Sequence, residues 1–319
     1  MHYRVVVFGV KDTSENIIEY ITRNICPVDL VITISPEVTR KNQVSGYKGL
    51  SFLTEKYGIQ VHEADSYYLT DEKTVDLIRN NEFDIGISMG WQRLVPPEVL
   101  NAFRFGVYGF HGNCGYLPFG RGRSPLNWSI ILGDERFNLN LFRYDEKADS
   151  PNIFGTETFR INEHDDIRTC QYKNMMCSKR LIKRLLTAYE KGSIDIRTES
   201  KDYDSWYEKR TAKDGKVDLR GRTRDIYNLI RGVAAPFPGA FAYVAKENEI
   251  GALPEQTDDN LIRIWRAHPF DDSIDLSEYA PGEIVDIFDG KPIIRTVDGS
   301  IIIDEYECEM ELRPRMLLY

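Results

Sequence analysis

Apolar residues fall in short blocks along the chain, and the spacing inside each block predicts an element. Val5-Val6-Val7-Phe8-Gly9 is an unbroken apolar run, as a strand buried on both faces requires. Asp12, Thr13 and Ser14 can then cap a helix that carries Ile17, Ile18 and Ile21. Leu30 to Ser35 reads as a second buried strand. A polar, looped stretch follows, then a short helix near Leu50 to Tyr57. Gln60-Val61-His62 reads as a third strand, Thr74 to Asn80 as an amphipathic helix, and Asp84 to Gly90 as a fourth strand running into a loop. Pro97 occupies the first turn of a helix reaching Asn101. Val107 to Phe110 is a fifth strand, and Phe137 to Tyr144 alternates as a strand with one face on a core. Strands alternating with helices predict an α/β fold with a doubly wound, mainly parallel sheet.

The pattern changes in the second half. Lys179 to Tyr189 is an amphipathic helix with Leu181, Ile182, Leu185 and Leu186 inward; Lys179, Arg180, Lys183 and Arg184 read most simply as its solvated face. Gly192 to Lys216 is polar and reads as a connector. Asp225 to Arg231 is a short helix that ends before Pro236-Phe237-Pro238-Gly239. Short strands then follow one another at Ala240–Val244, Leu261–Ala267, Glu283–Ile287, Ile293–Thr296 and Ser300–Tyr306. That spacing predicts a small barrel of the oligonucleotide/oligosaccharide-binding type. With 319 residues a large and a smaller domain are expected. We place an α/β domain over 1–200, a linker and helix over 201–240, and an OB-like β-barrel over 241–319.

Composition removes several function classes. A net charge of −9 argues against a DNA-binding surface, though not against a local basic pocket for a phosphorylated small molecule. The five cysteines lack metal-type spacing, so no metal site is expected and free thiols are. No signal-peptide layout and no membrane-length apolar run is evident, which predicts a cytoplasmic protein. Gly9-Val10-Lys11-Asp12 does not supply a GxGxxG turn, so a dinucleotide site is not indicated.

The most unusual chemistry lies between Gly109 and Pro125. Here the fifth strand breaks into a glycine-rich loop carrying His111, Asn113, Arg121 and Arg123. Glycine lets a backbone approach a ligand closely. The carboxyl ends of strands in open α/β sheets are where substrates bind. Cys114 stands three residues from His111, but nothing else supports a thiolate nucleophile.

His111, Tyr116-Leu117-Pro118, Arg121-Gly122-Arg123-Ser124-Pro125 and Ala148-Asp149-Ser150 occur in the order of an active-site signature. Thr211 to Asp218, Arg224 to Arg231, Pro236 to Phe241, Ile264 to Ala267 and Ala280 to Val285 continue it. On these residues the chain resembles the folate-dependent formyltransferases, a family that holds methionyl-tRNA formyltransferase and the nucleotide-sugar N-formyltransferases. The resemblance implies 10-formyltetrahydrofolate as donor. It also implies His111 as electrophile and proton relay and Asp149 as orienting carboxylate and proton acceptor.

Two departures matter. The family's asparagine two residues before the histidine is Gly109 here, and the loop before Pro118 is two residues longer. Either Asn113 folds back as oxyanion donor or the site works without that amide. The loop after the fourth strand, with Ser88, Met89, Gly90, Trp91, Arg93 and Leu94, is expected to form the pterin slot, and Tyr144 and Asp145 to close it. Core packing is the competing reading for Trp91 and Leu94. Arg121 is expected to fix the loop, while Arg123 is a candidate substrate ligand, either a phosphate clamp or a second loop-fixing residue.

The resemblance leaves the acceptor open. The acidic balance favours a nucleotide-linked amino sugar, with a 4-amino-4,6-dideoxy hexose of surface-glycan biosynthesis as the expectation; an initiator tRNA is the alternative. A formyltetrahydrofolate hydrolase and a non-catalytic folate-binding protein are the remaining readings. A homodimer is compatible with all of them.

Overall fold

A computed structural model describes residues 3–146, 152–198, 204–245 and 256–319. The chain forms two compact units. The first comprises Met1–Gly122, Asn138–Phe159 and Lys173–Trp206; the second comprises Arg123–Phe137, Arg160–Tyr172 and Tyr207–Tyr319.

The first unit is built on strands β1 (Val5–Phe8), β2 (Leu30–Ile34), β3 (Gln60–Ala64), β4 (Ile85–Ser88) and β5 (Val107–Asn113). Between them run helices α1 (Asp12–Asn24), α2 (Pro36–Asn42), α3 (Phe52–Tyr57), α4 (Glu72–Arg79) and α5 (Pro97–Leu100). A two-residue strand β6 (Arg121–Gly122) and helix α6 (Pro125–Ile131) precede β7 (Arg136–Arg143) and β8 (Asn152–Arg160). Helix α7 (Ile167–Lys191) and the short strands β9 (Arg197–Thr198) and β10 (Trp206–Tyr207) follow.

The main sheet has the order β3-β2-β1-β4-β5-β7-β8-β9. Pairing is parallel from β3 through β5 and turns antiparallel at β5–β7. Every residue of β1, β2 and β4 is buried, which is why these strands read as continuous apolar runs rather than alternating ones. The expected fold class is therefore the observed one.

Three local features differ from the sequence expectation. Strand β5 does not stop at Phe110. It runs to Asn113 because β7 pairs with it through His111↔Asn140 and Asn113↔Asn138, so the histidine stands in a strand and not in a loop. Helix α7 begins at Ile167, a full three turns before the apolar face read from sequence. Strand β8, with its half-exposed run around Gly155, lacks the alternation that marks a strand and was not expected.

In the second unit α8 (Thr223–Val233) packs against α6, with Asn127 Nδ2 donating to Gly232 O at 2.8 Å. Beside α8 lies an antiparallel sheet of β11 (Ala240–Tyr243), β12 (Leu261–Pro269), β15 (Gly299–Cys308), β14 (Lys291–Thr296) and β13 (Ile284–Phe288), in that order. The expected strands are all present. The edge strands β11 and β13 do not pair with each other; the terminal segment bridges them. Tyr319 exchanges backbone hydrogen bonds with Tyr243, and Leu318 N–H donates to Gly282 O. Among the described residues no helix is long and apolar enough to cross a membrane.

Candidate active site

The register of β5 decides what the site contains. Gly109, His111 and Asn113 alternate onto one face of the strand, opposite Phe142, Asn140 and Asn138 of β7. The other face carries Tyr108, fully buried, whose hydroxyl meets that of Tyr189 at 2.6 Å. Burial and this bond push the Tyr108 phenol well above its ordinary value, so it stays neutral and serves as an anchor.

His111 is 7% exposed, and its Nε2 lies 2.7 Å from Gly120 O. A carbonyl can only accept, so Nε2 carries a proton in either charge state. That proton is engaged by Gly120 O, so service as an oxyanion donor through Nε2 would require this bond to open. The loop that supplies Gly120 is itself held: Gly120 N–H donates to Ser205 Oγ at 2.8 Å. Arg121 forms a bidentate pair with Asp204, its Nε at 2.9 Å from Oδ1, and stacks over the Trp206 ring at 4.5 Å. Arg121 thus ties the loop to the Asp204 carboxylate and the Trp206 ring, where bonds to backbone carbonyls were expected.

Asn113 is fully buried and engaged by the loop. Its Nδ2 donates to Phe119 O, and its Oδ1 accepts from Gly115 N at 2.6 Å. Service as an oxyanion donor would require the first of these bonds to open. Asp149 lies outside the described residues. Arg123 is exposed and opens the second unit, where its backbone N–H donates to Tyr207 O at 3.0 Å.

The structure answers what stands over Gly109. A Cβ built on this residue would fall inside the Tyr144 phenol, closest to its Oη, Cε1 and Cζ. Gly109 does not have a positive φ, so the glycine supplies room and not backbone freedom. Sequence reading placed Tyr144 near the donor but did not connect it with Gly109. The signal was the pairing itself: a glycine inside a strand, with an aromatic residue just past the end of the strand beside it.

Tyr144 also lines a cleft of about 920 Å³. Pro97, Leu100, Phe103 and Pro118 form much of its apolar wall, with Asp145 at the rim. The segment after β4 does not line this cleft, although Ser88 is the register partner of Gly109 and Trp91 shares a core cluster with Leu100 and Phe103. Ser88 and Met89 are buried, and Met89 O accepts from Ser14 Oγ at 2.6 Å. Gly90 follows with φ of 75°. Trp91 packs edge-on against Tyr67 and Phe8, with centroids 4.9 and 6.2 Å away, inside the core. Arg93 lies over the Tyr67 ring at 4.9 Å, and Leu94 is 63% exposed. Of the residues expected around the pterin, only Tyr144 and Asp145 line this cleft.

A second cleft of about 950 Å³ lies between β8 and α7, with Tyr116 of the site loop in its wall. Arg180, Lys183, Arg184, Lys191 and Arg197 line it against two carboxylates, Glu157 and Asp195. Arg184 pairs with Glu157 at 3.0 Å and Arg197 with Asp195 at 3.2 Å. Part of the helix face read as merely solvated therefore faces a concave, positively charged surface.

Comparison with known proteins identifies the family. The family model described as formyl transferase matches residues 3–185, and that of the formyl transferase C-terminal domain matches residues 209–313. The bifunctional polymyxin resistance protein ArnA of Wigglesworthia glossinidia brevipalpis is 30% identical over 186 residues, 57% of this chain and 28% of ArnA, so the chain spans little more than a quarter of that relative. HypX from Aquifex aeolicus, crystallised with tetrahydrofolic acid, superposes with a TM-score of 0.63 at 16% identity, over 97% of this chain and 45% of HypX. The sugar 3N-formyl transferase WlaRD, studied in the presence of dTDP and 5-N-formyl-THF, gives 0.65 at 16% identity, over 95% of this chain and 98% of WlaRD. An N-formyltransferase from Helicobacter canadensis, in complex with folinic acid and dTDP-3-aminofucose, gives 0.65 at 17% identity, over 95% and 99% of the two chains. At such identities the superpositions establish a shared fold, and the two family models, together spanning most of the sequence, establish descent: the chain belongs to the formyl transferase family.

Proposed function

We propose that this chain transfers a formyl group from 10-formyltetrahydrofolate to the amine of a nucleotide-linked amino sugar. The observation that carries the acceptor class is extent. The two sugar N-formyltransferase structures match this chain nearly end to end in both directions, whereas ArnA and HypX are much longer proteins. Two further features support it. The net charge of −9 disfavours a tRNA-sized polyanion, and the basic β8–α7 cleft suits a compact diphosphate. The 4-amino-4,6-dideoxy hexose expected from the family resemblance is to be tested beside a 3-amino hexose, the amine position named for both of those sugar N-formyltransferase neighbours.

The 920 Å³ cleft has the volume of a small-molecule site, and its apolar wall suits a flat pterin. In the reaction the acceptor nitrogen attacks the formyl carbon, and the carbonyl π pair moves onto oxygen. In the proposed step His111 donates to that oxygen through Nε2–H, released from Gly120 O, a type of contact worth about two to three orders of magnitude in rate. The pair then returns, the bond from carbon to N10 breaks, and the proton lost by the acceptor nitrogen offsets the one N10 gains. Asp149 is the proposed carrier of that proton. Arg123 remains a candidate for acceptor binding.

The test is to incubate the protein with 10-formyltetrahydrofolate and a panel of nucleotide amino sugars, with charged initiator tRNA alongside. The reading expects one sugar to gain the mass of CO. A gain on the tRNA alone, or release of formate with no gain on any acceptor, contradicts it.

A further inference from the structure

Glycine inside a paired strand loses packing and backbone order, so its presence at 109 calls for a physical reason. The reason is the Tyr144 ring. Three constraints place it there. The Tyr144 backbone N–H donates to Val107 O at 2.8 Å, which ties its Cα to the start of β5. Tyr144 stands two residues beyond Phe142, the register partner of Gly109, so both project on the same face. The Phe142 ring, 5.2 Å away by centroid, supports it from the side. The phenol comes so close to the backbone that no side chain at 109 could coexist with it.

His111 is the next residue of β5 on that same face. Alternate residues of a strand are about 6.7 Å apart. Two donors that each reach one oxygen at about 2.7–3.1 Å stand at most about 6 Å from each other. The spacing between the two positions slightly exceeds that span, so a phenolic O–H over Gly109 and the imidazole of His111 flank a single oxygen when the two side chains lean toward each other. Tyr144 lines the cleft assigned to the donor, and His111 is not among that cleft's described lining residues.

We propose that Tyr144 is a catalytic residue whose hydroxyl donates to the oxyanion formed during transfer. This rests on the formyl-transfer reading above. As the acceptor nitrogen bonds to the formyl carbon, the displaced π pair gathers on oxygen between the two donors. When the pair returns and the bond to N10 breaks, Tyr144 still holds its proton, so it is neither acid nor base in the net reaction. Gly109 is present to let the hydroxyl reach that oxygen.

The test compares wild type, Tyr144→Phe, Tyr144→Ala and the double variant Gly109→Asn/Tyr144→Ala in steady-state transfer, with thermal unfolding and donor binding measured in parallel. Tyr144→Phe keeps the ring and removes only the donor. The expected result is a kcat lower by about 10²–10³ with KM for the donor within about twofold and unfolding unchanged. Tyr144→Ala frees the space over residue 109, and an asparagine amide there is expected to raise kcat above that of Tyr144→Ala alone. A Tyr144→Phe enzyme within about threefold of wild type overturns the assignment, because the ring then acts only by packing. A double variant no faster than Tyr144→Ala also counts against it. A wild-type chain that binds the donor and forms no formamide refutes the formyl-transfer reading instead, which keeps the two failures apart.

Discussion

His111 owes its position to neighbours that have no part in the chemistry. Asn140 stands opposite it in the β-ladder, and Thr156 of β8 donates to Asn140 Oδ1 at 2.7 Å. At the next position on the same face, Thr158 donates to Asn138 Oδ1 at 2.8 Å. Threonine hydroxyls of β8 thus satisfy the buried amides on alternate positions of β7 beside the site, while His111 Nε2 engages the loop through Gly120 O. His111→Ala removes that donor and leaves a buried carbonyl partly unsatisfied, a cost of about 1–3 kcal/mol. The variant is expected to fold, with a lowered urea midpoint, and to lose turnover by at least about 10². A variant with near-normal turnover removes the imidazole from the mechanism. At Cys26, nucleophilic chemistry is unpromising on the opposite grounds. Burial, with Asp29 and Glu190 nearby, pushes the Cys26 thiol up to about 11, away from the thiolate form that reacts.

At the scale of elements, glycine and the terminal segment hold the second unit in shape. Gly239, in the turn that follows α8, has φ of 83°, and a Cβ there would meet the Trp265 ring at 2.9–3.3 Å. Gly239→Ala therefore combines a strained backbone with overpacking, and is expected to destabilise by about 1–3 kcal/mol in urea unfolding. No change would mean that Trp265 yields freely. On β15, Asp304 accepts from His268 Nδ1 at 2.7 Å and from Lys291 Nζ at 3.0 Å. Burial alone would raise this carboxyl, but the hydrogen bonds from His268 and Lys291 outweigh burial and hold it below its ordinary value. A depressed carboxylate stabilises the fold above its unfolded value of about 3.9, and that contribution disappears as pH falls through the folded value. The urea-midpoint gap between wild type and Asp304→Asn is thus expected to be largest near neutral pH and to shrink below about pH 4. A gap independent of pH would assign the effect to packing.

The elements also show what the sequence can and cannot convey. Buried parallel strands are legible because both faces are apolar, and β1, β2, β4 and the start of β5 were all read correctly on that ground. The end of β5 was not, because Gly112 and Asn113 carry loop composition while long-range pairing with β7 holds them extended. Helix α2 was hidden in a stretch read as polar loop, since it buries no residue and so shows no apolar face. His111 stands out in the sequence by residue type and surroundings, and the structure places it in β5 with Nε2 on Gly120 O. Trp91 packs in the core, the competing reading the sequence offered, and the cleft beside Tyr144 is walled by Leu100 and Phe103, ordinary apolar positions in sequence. The link between Gly109 and Tyr144 spans 35 positions and exists only in the folded register.

At the scale of the molecule, charge is distributed unevenly. A chain of net −9 concentrates five cationic side chains around the β8–α7 cleft. If the nucleotide's diphosphate is held there, Lys183→Glu combined with Lys191→Glu is expected to raise KM for the acceptor several-fold while kcat holds. The wild-type KM should rise with ionic strength, as screening of partly exposed charges requires. Unchanged KM in the variant would separate this cleft from acceptor binding. The central claim, that the chain moves an intact formyl group onto an amine with His111 at the reacting oxygen, is tested most directly by following donor labelled with carbon-13 at the formyl carbon. The account predicts that wild type carries the label into a formamide on the acceptor sugar in the NMR spectrum, and that His111→Ala leaves it on the donor. Label emerging as free formate at the same rate with and without acceptor, or moving equally well in His111→Ala, would contradict it.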